Sequence, residues 1–214
     1  MLTRIVLIRH GEGQSYRDGI VGGHDGCRGL SLLGRRQVQA LATRIQASRE
    51  TQGSVLVSSG LRRAEETAEI LSPVFSTGDF ERSCDLCERH PGKGDGLPVD
   101  EFNARYPEAD RNLYTAGVPE AESWATFAER GTRALKALAT KHAGATVVAA
   151  THGGVIATSF MAFGQQPVEP RFDLHIDHAS ITEWLCETEL PHVRWKLVRM
   201  NDASHAQDLG SNCR

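Results

Sequence analysis

The chain lacks an excess of positive charge. Its 24 Lys and Arg residues are outnumbered by 27 Asp and Glu, a formal net charge of -3. A general nucleic-acid binder is usually basic, so no nucleic-acid partner is expected. The balance does not forbid a local cationic pocket, because net charge says nothing about where charges sit. Long apolar runs are missing too: no segment approaches the ~20 residues of a membrane span, and no membrane partner is expected. The N-terminal stretch MLTRIVLIRHGE breaks at charged residues and has no small-residue cleavage site. That argues against a signal peptide and for a cytoplasmic location. Cysteine is sparse and odd in number: Cys27, Cys84, Cys87, Cys186 and Cys213. A chain of this size needs no disulfide stapling, so reduced thiols are the simplest reading. Cys84, Cys87 and His90 form C-x-x-C-x-x-H. A structural zinc ion wants four ligands, and no second C-x-x-C pair exists. The cluster is read as two small side chains on or beside a strand, and no metal or cofactor is expected. Internal repeats are absent.

What is present is ordinary for a globular protein: 40% hydrophobic and 24% charged residues in 214, enough for one domain spanning 1–200. Ile5–Ile8, Val55–Val57 and Val147–Ala150 are continuous apolar runs, the habit of strands buried on both faces. Ile181–Cys186 and Val193–Val198 read as later strands, the last suited to an edge that leaves room for a homodimer. Val38, Leu41 and Ile45 share a helical face that starts near Ser31. Leu61, Ala64, Ala68 and Leu71 share another, with Ser58 or Ser59 as cap. Phe127, Ala134, Leu135 and Leu138 mark a third, capped near Ser123. Alternating strands and helices give an α/β sheet. Residues 90–122, with HPGKGDGLP, read as a lid-like insertion with a short helix near 98–105. Residues 201–214 read as a disordered tail.

Three of these runs lead straight into reactive side chains. The first ends on Arg9 and His10. The second ends on Ser58 and Ser59, followed by Arg62 and Arg63. The strand at 147–150 ends on Thr151 and His152, followed by Gly153 and Gly154. In an open parallel sheet the carboxyl ends of the strands share one edge, where ligands bind. Arginine forks match phosphate oxygens, and a neutral imidazole can attack phosphorus. Phosphoryl transfer needs that nucleophile and positive charge around the equatorial oxygens. Glycines and free helix N–H groups at the same edge add anion affinity. A leaving alcohol also needs a proton. Glu88, at the end of a strand expected over Cys84–Glu88, can supply it. Glu120, Glu122 and Asp95 are the other carboxylates considered for that role.

Arg9-His10-Gly11-Glu12 resembles the R-H-G-E signature of the histidine phosphatase superfamily, branch 1, which includes cofactor-dependent phosphoglycerate mutase. Leu30-Ser31-x-x-Gly34-x-x-Gln37, Ser59-x-Leu61-x-Arg63-Ala64-x-x-Thr67-Ala68, Leu86-x-Glu88 followed by Gly92, Gly96 and Leu97, Glu122-Ser123 and His152-Gly153-Gly154 resemble further landmarks of that family, in the family's order. The resemblance implies a three-layer α-β-α sandwich around a mostly parallel sheet. It also implies a phosphatase that acts on a small phosphorylated metabolite. His10 becomes the phosphorylated nucleophile. Arg9, Arg63 and His152 surround the phosphoryl group, with Gly153 beside them. Glu88 protonates the leaving group and then activates water. Arg63 is chosen over Arg62 because it precedes Ala64; Glu12 is expected to orient the loop.

The family often has asparagine where this chain has Tyr16. The lost phosphate contact would then fall to Gln14 or to backbone at Val21, Gly22 and Gly23. Two rival functions are a phosphomutase and a non-catalytic phosphate-binding module. A mutase would need cations for a second phosphate, and Lys93 and Arg111 are the lid's evident ones. The short insertion and the intact set of histidines and arginines favour the phosphatase. His142, His192 and His205 are expected at the surface, Cys27 in packing, and His175 and His178 are left undecided between surface and pocket.

Overall fold

Alternation along the buried strands divides the molecule into layers. In β1 (Leu2–Arg9), Val6 and Ile8 face one side of the sheet, and Ile5 and Leu7 the other. On the first side lie α2 (Leu32–Ser48), through Val38, Leu41 and Ile45, and α3 (Arg62–Phe75), through Ala68, Leu71 and Phe75. On the second lie α5 (Trp124–Lys141), through Phe127 and Leu135, and α6 (Gly153–Ala162), through Val155 and Ile156. Burying these stripes removes apolar surface from water on both faces, as the three-layer reading requires. The coordinates are a computed structural model and describe residues 1–51, 54–75, 78–109, 111–169, 173–189 and 192–209.

The remaining strands are β2 (Val55–Ser59), β3 (Glu81–Ser83), β4 (Thr146–Thr151), β5 (Ile181–Glu189) and β6 (His192–Asp202). Their order is β3-β2-β4-β1-β5-β6, with β1 to β4 mutually parallel and β5 antiparallel to both neighbours. The sheet is thus mixed, with a single reversed strand. β6 is a free edge, with Val193 and Val198 exposed. Arg9 pairs with Thr151 and Ser58 with Ala150, so three parallel strands end level with one another. No described helix is long and apolar enough to cross a membrane.

The helix starts follow the expected chemistry. Ser31 caps α2 by accepting from Gly34 N–H, and Ser123 caps α5 by accepting from Thr126 N–H. Gly11 and Gly34 let α2 sit against the loop after β1. A Cβ on either would collide with backbone, that of Gly34 and of Glu12 respectively. The short helix of the insertion is α4 (Val99–Arg105), and α1 is a single turn, Gln14–Arg17.

Two expectations are corrected. Cys84–Glu88 is not a strand: β3 stops at Ser83, and Cys84–Leu86 form a 3-10 turn. Arg130 draws the carbonyls of Cys84, Asp85, Cys87 and Glu88 around its guanidinium and takes them out of reach of a sheet ladder. Nor are residues 201–209 a disordered tail. β6 continues to Asp202, and Ser204–Leu209 form a 3-10 helix against α2 with Ala206 buried. Arg44 binds Asp202 at 2.7 Å and so fastens the segment to α2. Residues 210–214 lie outside the described residues.

Candidate active site

The level ends of β1, β2 and β4 bring the expected residues together. His10 N–H donates to Thr151 O at 2.9 Å, so the backbone of His10 extends the ladder by one rung. The His10 ring is buried and held at both nitrogens. Nδ1 lies 2.7 Å from Gly11 O, and Arg63 Nε donates to Nε2 at 3.0 Å. Because guanidinium can only donate, Nε2 is the unprotonated nitrogen and Nδ1 carries the hydrogen. Burial, then the positive charge of Arg63, drive the His10 pKa well below the ordinary histidine value. The imidazole is therefore neutral, the form that attacks phosphorus.

His152 follows β4 and is fully buried, 5.0 Å from His10 between ring centroids. Its pKa is also driven well down, by burial first and then by Arg63 and Arg9. Its Nε2 shares a 2.7 Å hydrogen bond with Ser59 Oγ at the end of β2. Its Nδ1 is buried and has no hydrogen-bond partner among the described residues. Arg9 is fixed through a hydrogen bond to Ile176 O, and Arg63 NH1 donates to Gly22 O at 2.7 Å. Arg62, one residue away, turns outward onto Glu66 and Glu69. Gly153, at the start of α6, lies against the Arg9 guanidinium.

A cavity of about 210 Å³ opens over His10, Arg9 and Arg63, with Tyr16, Glu88 and His178 also in its wall, while His152 lies buried behind His10. Glu88 reaches it from the loop after β3. The N–H of Gly154 at the α6 N-terminus donates to Glu88 Oε2 at 3.1 Å and aims the carboxylate. The other carboxylates have different employment. Asp95 accepts from the N–H groups of Gly23, Asp25 and Gly26, and Glu120 pairs with Lys93 at the surface. For Glu122, burial works to raise the pKa, but the hydrogen bonds from Arg130 and from His90 N–H prevail and hold it below the ordinary value. Glu12 accepts from Ser31 Oγ at 2.6 Å, a loop-orienting contact with the α2 cap.

Gln14 and Gly23 are not turned toward the cavity. The Gln14 amide donates to Asp18 at 2.8 Å, and the Gly23 N–H goes to Asp95. Of the two histidines left undecided, His178 is in the cavity wall, 5.8 Å from His10 between centroids. Burial, then Arg9, lower its pKa to about 3. His175 is exposed and pairs with Asp177. His142 and His205 are half-buried rather than fully exposed. Ser59 is expected at the end of the second strand and as a possible helix cap, with no partner named for it. Its pairing with His152 depends on strand order and has no local signal. Away from the phosphate cavity, His24, Cys84, Cys87 and His90 gather into one cluster. His24, 60 residues before Cys84, had gone unnoticed in the sequence.

Fold and site together define a phosphoryl-transfer protein built on a histidine pair and an arginine fork. The model of the histidine phosphatase superfamily (branch 1) matches residues 5–203, and the chain belongs to that family. It is 35% identical to phosphoglycerate mutase-like protein 4 of Arabidopsis thaliana, over 97% of this chain and 89% of that one. It is 29% identical to metal-independent phosphoserine phosphatase of the same plant, over 98% and 85%. Among solved structures, mycobacterial glucosyl-3-phosphoglycerate phosphatase superposes with a TM-score of 0.75 at 26% identity, covering 94% of this chain and 99% of that one. The chain is an enzyme of the phosphoric monoester hydrolase class.

Proposed function

We propose that the chain hydrolyses a small-molecule phosphomonoester through a phosphohistidine on His10. The observation that carries this reading is the His10 ring itself. It is neutral, locked at Nδ1 by Gly11 O, and presents the Nε2 lone pair where Arg63 and the cavity meet.

The substrate's phosphate would enter between Arg9, Arg63 and His152. Nε2 attacks phosphorus and the P–O ester bond breaks. The proton of Glu88 passes to the leaving alkoxide. In the second half Glu88 takes a proton from water, the hydroxide attacks phosphorus, and the P–N bond breaks. Phosphate leaves, His10 is neutral and Glu88 is protonated again. The fixed positive groups stabilise the charge spread over the equatorial oxygens in both halves. None of these steps calls on a metal.

The organic part of the ester has a place to go. A second cavity of about 530 Å³ shares Gly22, Arg63 and Glu88 with the first and is walled by Phe102, Val118, Trp124 and Phe127. The names of the phosphoserine and glucosyl-3-phosphoglycerate phosphatases support a small phosphorylated metabolite as substrate. The mutase reading is disfavoured by the lid's cations. Lys93 pairs with Glu120 at 3.0 Å and Arg111 with Glu108 at 2.7 Å, all of them exposed. A binding module would have no use for an aimed Glu88.

The test is phosphate release from para-nitrophenyl phosphate and from a metabolite panel that includes phosphoserine and phosphoglycerates, wild type beside His10→Ala. Turnover by wild type and none by the variant is expected. Turnover that survives the substitution would remove His10 from the chemistry.

A further inference from the structure

Four side chains with soft or borderline donor atoms converge beside the acid-bearing loop: His24, Cys84, Cys87 and His90. Their ligand atoms all lie within 4.8 Å of one another. Cys84 Sγ is 3.5 Å from His24 Nε2 and 3.8 Å from His90 Nε2. A tetrahedral zinc ion with Zn–S near 2.3 Å and Zn–N near 2.0–2.1 Å sets sulfur–nitrogen edges of about 3.5–3.6 Å. The first edge, at 3.5 Å, already has that length, and the second, at 3.8 Å, exceeds it by about 0.2 Å. The rest need to shorten by at most about 1.5 Å, within the reach of side-chain rotation. We propose that His24, Cys84, Cys87 and His90 form a structural Cys2His2 zinc site that staples the Glu88 loop to the loop over the phosphate cavity. This site does not rest on the reading of His10 as nucleophile.

The surroundings of the four residues are built for ligation. Asp95 accepts from the N–H groups of Gly23, Asp25 and Gly26, a three-point clamp on both sides of His24. Arg130 holds the carbonyls of Cys84, Asp85 and Cys87 and fixes the turn that aims both sulfurs. His90 directs Nε2 at the cluster, with Nδ1 3.8 Å from the Glu122 carboxylate, and its backbone N–H donates to the same carboxylate at 3.0 Å and holds the residue in place. Cys87 Sγ accepts from Ser59 Oγ at 3.4 Å and from the Gly60 N–H, bonds that suit a thiolate. Two thiolates and two neutral imidazoles exactly balance one divalent cation, which fits a site running from exposed His24 to buried Cys87. Burial first, and then the neighbouring Cys84, push the Cys87 thiol up to about 11. A bound cation reverses that preference by taking the proton's place.

The consequence is mechanical. The ion would bridge residues 24 and 84, close in the chain to Gly22 and Glu88 of the cavity wall. It would fix Gly22, which positions Arg63, relative to Glu88, four residues beyond Cys84. Cys87 would also connect it to Ser59 and through Ser59 to His152.

The test uses the full, untagged chain, purified with a non-thiol reductant from zinc-supplemented cells. Metal is measured by mass spectrometry, and cobalt is titrated into the stripped protein. About one zinc per chain is expected, with the intense sulfur-to-cobalt absorption of tetrahedral thiolate ligation. Cys84→Ser and His24→Ala, both at exposed positions, should each lose at least about nine-tenths of the metal, while Cys27→Ser keeps it. Stripping should lower Tm by roughly 5–10 °C, restored by zinc. Wild type that takes up neither zinc nor cobalt would overturn the proposal. So would variants that retain both metals while circular dichroism shows them folded.

Discussion

Arg63 Nε donates to His10 Nε2 across 3.0 Å, so the residue proposed to hold the phosphoryl group occupies the lone pair of the proposed nucleophile. The same guanidinium anchors to Gly22 O through NH1, which leaves it a fork with one arm committed to the loop. In the proposed mechanism an arriving phosphate oxygen would take over the bond from the Nε hydrogen and release the lone pair. Lysine cannot reproduce this, because a single ammonium cannot span both partners. Arg63→Lys should lower kcat/KM by about a hundredfold or more, with most of the loss in kcat. A loss confined to KM would show that Arg63 only binds substrate.

Glu88 is aimed by the first turn of α6, and Gly154 is glycine because a Cβ there would collide with Glu88 Oε1. Glu88→Gln should slow alkyl phosphates by roughly 10²–10⁴ and nitrophenyl phosphate far less, since a good leaving group needs no proton. Gly154→Ala should reproduce the pattern more weakly by displacing the carboxylate. Equal losses on both substrate classes would rule Glu88 out as the acid.

Ser59 touches both His152 and Cys87. Ser59→Ala frees the His152 ring to turn, while the fold keeps its buried strand end. A fall of about 10- to 100-fold in kcat, with Tm within a few degrees of wild type, is the expected result. Unchanged kcat would mean that His152 is held by its packing alone.

Acid should destabilise the fold through its histidines. His10 and His152 are pushed well below 6.5 and His178 to about 3, whereas the unfolded chain titrates near 6.5. Below that value the unfolded state binds more protons than the native one. Stability is therefore full above about pH 6.5 and declines as pH falls toward the folded-state values. Each such histidine contributes at most about 1.4 kcal/mol per pH unit in that window. Tm measured from pH 7 to pH 4 should fall less steeply in His178→Gln than in wild type. Parallel curves would place His178 in a setting where it can take a proton.

Much of this was legible in the chain because it is encoded locally. Ile5–Ile8 and Val147–Ala150 lead directly into His10 and His152, and the parallel-sheet rule brings those ends together. The caps at Ser31 and Ser123 could be read the same way. What escaped the sequence depends on contacts between distant segments. Arg130 converts an expected strand at Cys84–Glu88 into a turn from more than 40 residues away. His24 joins the cysteine pair only because Asp95 clamps its loop, and Ser59 meets His152 only because β2 lies beside β4. Residues 201–209 look too polar to fold, yet buried Ala206 and the Arg44–Asp202 pair tie them to α2.

The most direct test of the central claim is to quench the enzyme in alkali during turnover and map the phosphorylated residue by mass spectrometry. An acid-labile, alkali-stable phosphate on His10 Nε2, absent from His10→Ala and accumulating in a variant slowed at Glu88, is the expected result. Phosphate on any other side chain, or turnover with no phosphoenzyme even when Glu88→Gln slows its breakdown, would contradict it.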